Sequence, residues 1–258
     1  RQVMCGAVNN FKESVEKLEE YYKTYNNYNE LISYRLGFHA EYTTKREILE
    51  GISELAQKYK APVFTHSSET KSEVEGCIER YGKTPTELFE EIGLWNWGGG
   101  GYHSVWLSDN DLQIYKKRGL WAIINAGSNS KLASGICDVQ KMSNMGINLA
   151  VGTDGPSSNN ALDMFREMYL ISILQKLKYN DAAAMDANEI LKAATSGSAK
   201  CMGLTDCDCI AESKLADLMI IDLERPNMQP INNITKNLVY SGSKDDVKMT
   251  MINGKILY

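Results

Sequence analysis

Short apolar runs alternate with amphipathic segments of helical period from the start of the chain to Met202. Apolar runs bounded by polar or glycine-rich residues predict buried strands. The predicted strands are Val3–Val8, Tyr34–His39, Ala61–His66, Gly98–His103, Leu120–Asn125 and Ile147–Val151. The amphipathic segments predict the helices Lys12–Asn26, Lys45–Tyr59, Glu69–Tyr81, Thr84–Ile92, Asp109–Arg118, Ile136–Met145, Ala161–Leu177 and Asp186–Met202.

The order of these elements predicts the class of fold. At least one helix separates each predicted strand from the next, which is the pattern of a parallel sheet. Six such units fit a (β/α)8 TIM-like barrel or a doubly wound sheet. No glycine-rich phosphate fingerprint follows any strand, and this disfavours a dinucleotide-binding fold. We therefore expect an α/β barrel whose first two units are missing from this sequence and belong before Arg1.

The fourth predicted strand is weaker than the others because it begins with four glycines, Gly98–Gly101. Glycine lowers strand propensity, and such a run also suits a flexible linker or a place where backbones approach closely. The regular alternation of elements is the reason to expect a strand at this position.

The pattern changes after Leu204. Two segments, Leu215–Leu223 and Lys248–Ile256, are rich in strand-forming residues, and the second contains the Asn253-Gly254 pair typical of a tight hairpin turn. We expect part of a small β-sandwich here, which divides the chain into a barrel portion, residues 1–203, and a sandwich portion, residues 204–258.

The predicted strand Ile147–Val151 leads directly to Asp154 and a Gly-Pro turn. In a barrel, catalytic residues lie at the carboxyl ends of the strands, where the loops line the active-site mouth. An aspartate in front of a helix also commonly caps it, here the predicted helix that starts at Ala161. Asp154 is therefore a candidate site residue with a structural alternative.

The three histidines of the chain favour the functional interpretation. His39, His66 and His103 each stand at the carboxyl end of a predicted strand, as Asp154 does. The ends of neighbouring parallel strands meet at one edge of a sheet, so these side chains are expected to converge. Two imidazoles and a carboxylate around one cavity suit a first-row metal ion, with zinc or ferrous iron as the natural occupant.

Glu69 follows His66 by three residues and is the candidate general acid–base. A carboxylate at the same mouth would lie close enough to exchange protons with water and substrate. The structural alternative places Glu69 in the first turn of its helix, where the helix dipole favours a negative charge.

Composition excludes several classes of function. The chain of 258 residues has a net charge of −5 and no long basic run, which argues against a nucleic-acid partner. No apolar stretch reaches the roughly 18 residues that a membrane span needs. The six cysteines show no CxxC pair, and with no signal peptide we expect a cytoplasmic protein with reduced thiols. Cys207 and Cys209 leave a soft-metal ligand pair as a minor alternative.

Several motifs resemble the amidohydrolase superfamily, and within it the S-adenosylhomocysteine/methylthioadenosine deaminase and chlorohydrolase-like branch. They run over nearly the whole chain: His39-Ala40-Glu41-Tyr42, His66-Ser67-Ser68-Glu69-Thr70, His103-Ser104-Val105-Trp106-Leu107, Gly127–Gly135, Gly152-Thr153-Asp154-Gly155, Ala194-Thr195, Ala216-Asp217-Leu218 and Asn253-Gly254-Lys255. The resemblance implies a metal-dependent hydrolase with a barrel fold.

The resemblance also implies roles for individual residues. His66 and Asp154 would be ligands of one divalent ion, zinc or iron, Glu69 would be the proton shuttle, and His103 would stabilise the developing oxyanion. His39 would contact the nucleoside, with Glu69 and Asp154 also facing the substrate. The implied reaction is hydrolytic deamination, in which Asp154 accepts the proton of water, Glu69 protonates a ring nitrogen, and ammonia leaves.

The sequence also departs from the family pattern. It has no His-x-His pair, no arginine in residues 5–10, Ile124 where a histidine is usual and Ala126 where a proline is usual. Two alternatives to an aminopurine nucleoside deaminase therefore stay open. One is hydrolysis of a cyclic amide or a halogenated ring, and the other is an inactive, truncated barrel that serves as a binding or scaffold protein. The family further implies a small-molecule substrate and a homodimer.

Overall fold

A computed structural model describes residues 1–7 and 14–258 of the chain. These residues form two compact units: the first comprises Arg1–Ile124 and Met142–Asn148, the second Asn125–Lys141 and Leu149–Tyr258. Val8, where the first predicted strand ends, and Lys12, where the first predicted helix begins, lie outside the described residues.

The first unit contains five strands that pair in parallel, in the order of the chain. They are β1 (Gln2–Cys5), β2 (Ile32–Ala40), β3 (Val63–Ser67), β4 (Gly99–His103) and β5 (Trp121–Ile124). The helices between them are α1 (Ser14–Tyr25), α2 (Arg46–Tyr59), α3 (Lys71–Tyr81), α4 (Pro85–Glu91) and α5 (Asp109–Arg118). The strand-then-helix order predicted from the sequence is confirmed in this unit.

The glycine run forms the strand β4. Its residues are glycines because the neighbouring backbones leave no room for side chains. A Cβ atom on Gly99 would lie 1.9 Å from the carbonyl oxygen of Val63, and one on Gly100 would lie 2.4 Å from that of Trp121. Gly99 also has a φ of +124°, which side-chain-bearing residues rarely adopt. The flexible-linker interpretation is therefore wrong, and the close-approach interpretation is correct.

Three successive helices of this unit begin with a capping box, which fixes where each strand-end loop turns into its helix. The N-cap and N3 residues are Thr70 and Glu73 for α3, Thr84 and Glu87 for α4, and Ser108 and Asp111 for α5. In each box the N-cap hydroxyl accepts the N3 amide hydrogen, and the N3 carboxylate accepts the N-cap amide hydrogen.

The second unit is mostly helical. Its elements include α6 (Ala126–Lys131), α8 (Pro156–Asn159), α9 (Met164–Tyr179), α10 (Ala187–Lys192), α11 (Ser198–Cys201) and α12 (Ile234–Tyr240). The division between the units passes through α7 (Val139–Met145) and through β6 (Asn148–Val151). The predicted helix Asp186–Met202 is interrupted by a π-helical segment, Ala193–Gly197, and the sequence did not predict α6, α8 or α12.

The segment after Leu204 contains a three-stranded antiparallel sheet. Its strands are β7 (Leu218–Ile221), β8 (Val247–Ile252) and β9 (Lys255–Ile256). Asn253 and Gly254 join β8 to β9 with φ angles of +49° and +75°, as the predicted tight hairpin turn requires. The division of the chain at residues 203 and 204 stays a prediction. Among the helices of the described residues, none is long and apolar enough to cross a membrane.

Candidate active site

His66 lies on β3, and one of its ring nitrogens is hydrogen-bonded to the backbone. Its Nδ1 is 2.5 Å from the backbone carbonyl oxygen of His39. A carbonyl oxygen only accepts hydrogen bonds, so Nδ1 carries a proton, and the tautomer of the neutral ring is the one with its lone pair on Nε2. A hydrogen bond from one ring nitrogen to a carbonyl is the usual way in which a histidine ligand of a metal ion is oriented.

His103, the last residue of β4, brings a second imidazole to this place. Its ring stacks on that of His66 with a centroid distance of 5.4 Å and an interplanar angle of 26°. A ring nitrogen of His66 and one of His103 lie within 4.8 Å of each other. His103 is fully buried and has a φ of +70°, a strained angle for a residue other than glycine. Such strain at the end of a strand is typical of functional sites.

Glu69 places a carboxylate next to this pair. Its Oε2 is 3.7 Å from Nε2 of His103, and its side chain is 17% exposed, so it is accessible from solvent. The residue precedes Thr70, the N-cap of α3, and is therefore not in the first turn of the helix. The structural alternative for Glu69 is wrong, because the chain is still extended at Thr70 and becomes helical only at Lys71.

His39 on β2 completes the group in the first unit. Its ring centroid lies 4.9 Å from that of His66, and its Nδ1 is 2.9 Å from Oγ1 of Thr43. Burial lowers the pKa of His39 below its ordinary value, and the nearby His66 lowers it further. His39 is therefore mainly neutral at neutral pH and offers a ring that can both donate and accept.

The loops after β3 and β4 are joined by backbone hydrogen bonds. The carbonyl oxygen of Ser68 accepts the amide hydrogens of Val105 and Trp106 at 3.0 and 2.8 Å. The hydroxyl groups of Ser67 and Ser68 are buried and have no hydrogen-bond partner among the residues that the structure describes. A buried polar atom without a partner is costly and often marks a place where a ligand or water binds.

Asp154 belongs to the second unit and is held by two hydrogen bonds there. Ser128 on α6 donates its hydroxyl hydrogen to Oδ2 at 2.7 Å, and the amide of Gly155 donates to Oδ1 at 2.6 Å. These two hydrogen bonds fix the orientation of the carboxylate group. Asp154 has a φ of +60°, a left-handed conformation that aspartate tolerates better than most residues.

Asp154 does not cap the helix that follows it. Gly155 is the N-cap of α8, and Asp163 caps α9 by accepting the amide hydrogens of Phe165 and Arg166. The capping interpretation of Asp154 is therefore wrong. Cys207 and Cys209, the alternative ligand pair, belong to no group of three or more potential metal ligands within residues 1–7 and 14–258.

Glu167, which the sequence did not single out, fixes the surroundings of Asp154. This fully buried carboxylate accepts the amide hydrogen of Gly127 at 2.9 Å and the side-chain amide of Asn159 at 2.7 Å. Asn159 also donates to the carbonyl oxygen of Thr153 at 2.6 Å. A Cβ atom on Gly127 would lie 2.4 Å from Oε1 of Glu167, which explains the glycine. Burial raises the pKa of Glu167, and the hydrogen bond from Gly127 opposes this.

The donor atoms at these positions fit a divalent ion. The first unit brings His39, His66, Glu69 and His103 together at the ends of neighbouring strands. Neutral imidazole nitrogens and carboxylate oxygens are the ligands that zinc takes besides thiolates. That one ion is shared by His66 and Asp154 stays a prediction.

Two proteins similar to this chain carry the same name, although they come from different organisms. The chain is 40% identical over 244 residues to a 5-methylthioadenosine/S-adenosylhomocysteine deaminase of Pyrococcus furiosus, covering 94% of this chain and 58% of the relative. It is 39% identical over 245 residues to the enzyme of the same name from Thermococcus kodakarensis, covering 95% and 55%. The chain thus spans less than two thirds of the length of these curated relatives.

A solved structure agrees with these relatives. An adenosine deaminase from Xanthomonas campestris with bound zinc superposes with a TM-score of 0.92 at 32% identity, covering 98% of this chain and 59% of that one. The profile of the amidohydrolase family matches residues 2–257. Since this match includes nearly every residue of the sequence, the chain belongs to the amidohydrolase family.

Proposed function

We propose that this chain is the greater part of a hydrolytic deaminase that acts on an aminopurine nucleoside of the 5-methylthioadenosine or S-adenosylhomocysteine type. The observation that carries the proposal is the group of His66, Glu69 and His103, in which a carboxylate lies 3.7 Å from an imidazole. The deaminases at about 40% identity support the substrate class. The complete eight-unit barrel, the portion of a β-sandwich and the homodimer belong to the same proposal.

We further propose His66 and Asp154 as ligands of one divalent ion, zinc in the first place and iron as the alternative. Such an ion supplies a Lewis acid that lowers the pKa of water to about 7. His66 is prepared for this role because its Nδ1 hydrogen bond to His39 leaves Nε2 available. Asp154 is prepared because Ser128 and Gly155 hold its two oxygens in place.

The reaction replaces the amino group of the ring by oxygen, so one water is consumed and one ammonia is released. Asp154 would take a proton from the attacking water and pass it to the amino group, which leaves as ammonia when the C–N bond breaks. Glu69 gives a proton to the ring nitrogen next to the carbon under attack, which makes that carbon a better electrophile. Glu69 would regain its proton from the new hydroxyl group as that carbon becomes a carbonyl. His103, buried at the end of β4, donates to the oxygen that gains charge, and His39 hydrogen-bonds to the nucleoside.

The test is a substrate panel with the purified protein in the presence of zinc. Adenosine, 5-methylthioadenosine, S-adenosylhomocysteine, a cyclic amide and a chlorinated triazine are each followed by release of ammonia or chloride and by mass spectrometry of the product. We expect ammonia and a hypoxanthine-type product from the adenine nucleosides. Turnover of only the cyclic amide or the triazine would favour the first alternative, and no turnover of any compound would favour the scaffold alternative.

The variant Glu69→Gln tests the proton shuttle. We expect kcat to fall by about 10²–10⁴-fold, the usual contribution of a general acid–base, because an amide cannot deliver the proton. The matched control is Glu75→Gln on α3, whose side chain is 63% exposed and pairs only with Lys71 in the ion pairs described. Retained kcat in Glu69→Gln would remove Glu69 from the mechanism.

A further inference from the structure

Glu73 is a buried carboxylate that lies directly behind the loop bearing Glu69. Its oxygens accept three consecutive backbone amide hydrogens: Ser68 to Oε1 at 2.8 Å, and Glu69 and Thr70 to Oε2 at 2.7 and 3.5 Å. We propose that Glu73 is a positioning residue for the proton shuttle and holds the peptide from which the Glu69 side chain projects. The proposal rests on the proposed function of Glu69.

The other two capping boxes of the first unit show that Glu73 binds more backbone amides than an N-terminal cap requires. Glu87, at the same N3 position of α4, accepts one backbone amide hydrogen, that of its N-cap Thr84, at 3.0 Å. Asp111, at N3 of α5, likewise accepts the backbone amide hydrogen of its N-cap Ser108. Among the three boxes, the Glu73 carboxylate alone extends to the two residues before the N-cap, and one of these is Glu69.

The loop is held from its opposite side as well. The carbonyl oxygen of Ser68 accepts the amide hydrogens of Val105 and Trp106, which follow His103 on the next strand-end loop. Ser68 has a φ of +53°, so the peptide turns sharply there and needs external support. With its amides bound to Glu73 and its carbonyl bound to the other loop, this peptide fixes the Cα of Glu69 relative to His103.

Both carboxylate oxygens are needed for this arrangement. The amide of Ser68 uses Oε1 and the amide of Glu69 uses Oε2, and glutamine offers only one acceptor oxygen. In Glu73→Gln the side-chain NH₂ must face one of the two amide hydrogens. One loop amide is then left without an acceptor in a buried place, and the loop relaxes away from its position.

The first experiment compares Glu73→Gln with Glu87→Gln under the substrate panel given above. We expect Glu73→Gln to lower kcat by about tenfold or more with KM within about twofold, since misplacing an acid by a fraction of an ångström affects the chemical step. Glu87→Gln alters a carboxylate that caps α4 and accepts a hydrogen bond from Asn110 on α5 but does not bind the amides of the Glu69 loop. We expect its kcat to stay within about twofold of wild type. An equal loss of kcat in both variants would overturn the proposal.

The second experiment does not depend on any activity. Backbone hydrogen exchange of Ser68, Glu69 and Thr70 is measured by NMR in the wild type and in both variants. We expect faster exchange at Ser68 or Glu69 in Glu73→Gln, and unchanged exchange at these residues in Glu87→Gln. Unchanged exchange in Glu73→Gln would overturn the proposed anchoring even if the protein is an active deaminase.

The two readouts separate the failure of this inference from the failure of the proposed function. If the wild type has no deaminase activity while exchange at Ser68 or Glu69 rises in Glu73→Gln, the proposed function fails and the anchoring stands. If Glu73→Gln does not fold, Glu73→Asp is measured in the same way. Its shorter side chain withdraws both oxygens from the loop, so the same loss of kcat and the same faster exchange are expected.

Discussion

At the scale of single residues, burial separates thiols that have the same chemistry in an unfolded chain. Cys77 and Cys137 are buried, and burial raises the pKa of both thiols to about 12. Cys209 is exposed. Because the thiolate is the reactive form, the two buried thiols are protected both by their raised pKa and by lack of access.

We therefore predict that iodoacetamide at about pH 8 modifies Cys209 in the native protein and leaves Cys77 and Cys137 unmodified. Peptide mass spectrometry after a short reaction measures this, and all cysteines should react once the chain is denatured. The raised pKa values of the two buried thiols also make the stability of the fold depend on pH. The folded state holds these protons more tightly than the unfolded state, so the thiols stabilise the fold at low pH and this contribution is lost as pH rises from 9.0 towards about 12. Modification of Cys77 as fast as Cys209 would contradict the prediction.

At the scale of elements, the glycine strand β4 shows how one strand depends on its neighbours. Its backbone is so close to β3 and β5 that side chains are excluded at Gly99 and Gly100. The close approach has a consequence for the site, because β4 ends at His103 and β3 carries His66. Both imidazoles are therefore placed by a contact that only glycine permits.

We predict that Gly99→Ala lowers the free energy of unfolding by more than about 3 kcal/mol, since the Cβ meets backbone and the φ is unfavourable. The matched control is Gly82→Ala, at the C-cap of α3, where φ is +69° and no atom lies within 4 Å of the added Cβ. Only the left-handed conformation opposes that change, at a cost of about 1–2 kcal/mol. Urea unfolding of both variants measures the difference, and equal stabilities would show that β4 adapts.

At the scale of the whole molecule, the proposed function includes a bound divalent ion with His66 and Asp154 among its ligands. We predict about one bound zinc per chain, measured by equilibrium dialysis and elemental analysis, because imidazole and carboxylate groups are both ligands of this ion. Asp154→Asn should weaken zinc binding by at least about tenfold, because the amide brings no negative charge to the ion. Asp245→Asn, at an exposed aspartate, is the control. Unchanged zinc affinity in Asp154→Asn would exclude this aspartate as a ligand.

The features that depend on neighbours along the chain could be predicted from the amino-acid sequence. Strand-then-helix order follows from the period of apolar residues, and the hairpin at Asn253 and Gly254 follows from their tolerance of positive φ. The positions of His39, His66 and His103 at strand ends follow from where each apolar run stops. The glycine strand was placed only by its position in this order. These are local properties, because backbone dihedral preferences and burial patterns are read within a few residues.

The features that depend on contacts between distant segments could be seen only in the folded chain. The glycines of β4 are explained only by Val63 and Trp121, which belong to other strands. The helix α6 lacks an apolar period, and its start is fixed by the bond from Gly127 to Glu167. The spacing of Thr70 and Glu73 signals a capping box, but the reach of Glu73 to Ser68 and Glu69 depends on how the loop folds back. Burial and long-range hydrogen bonds are properties of the packed chain, so no single segment of the sequence contains them.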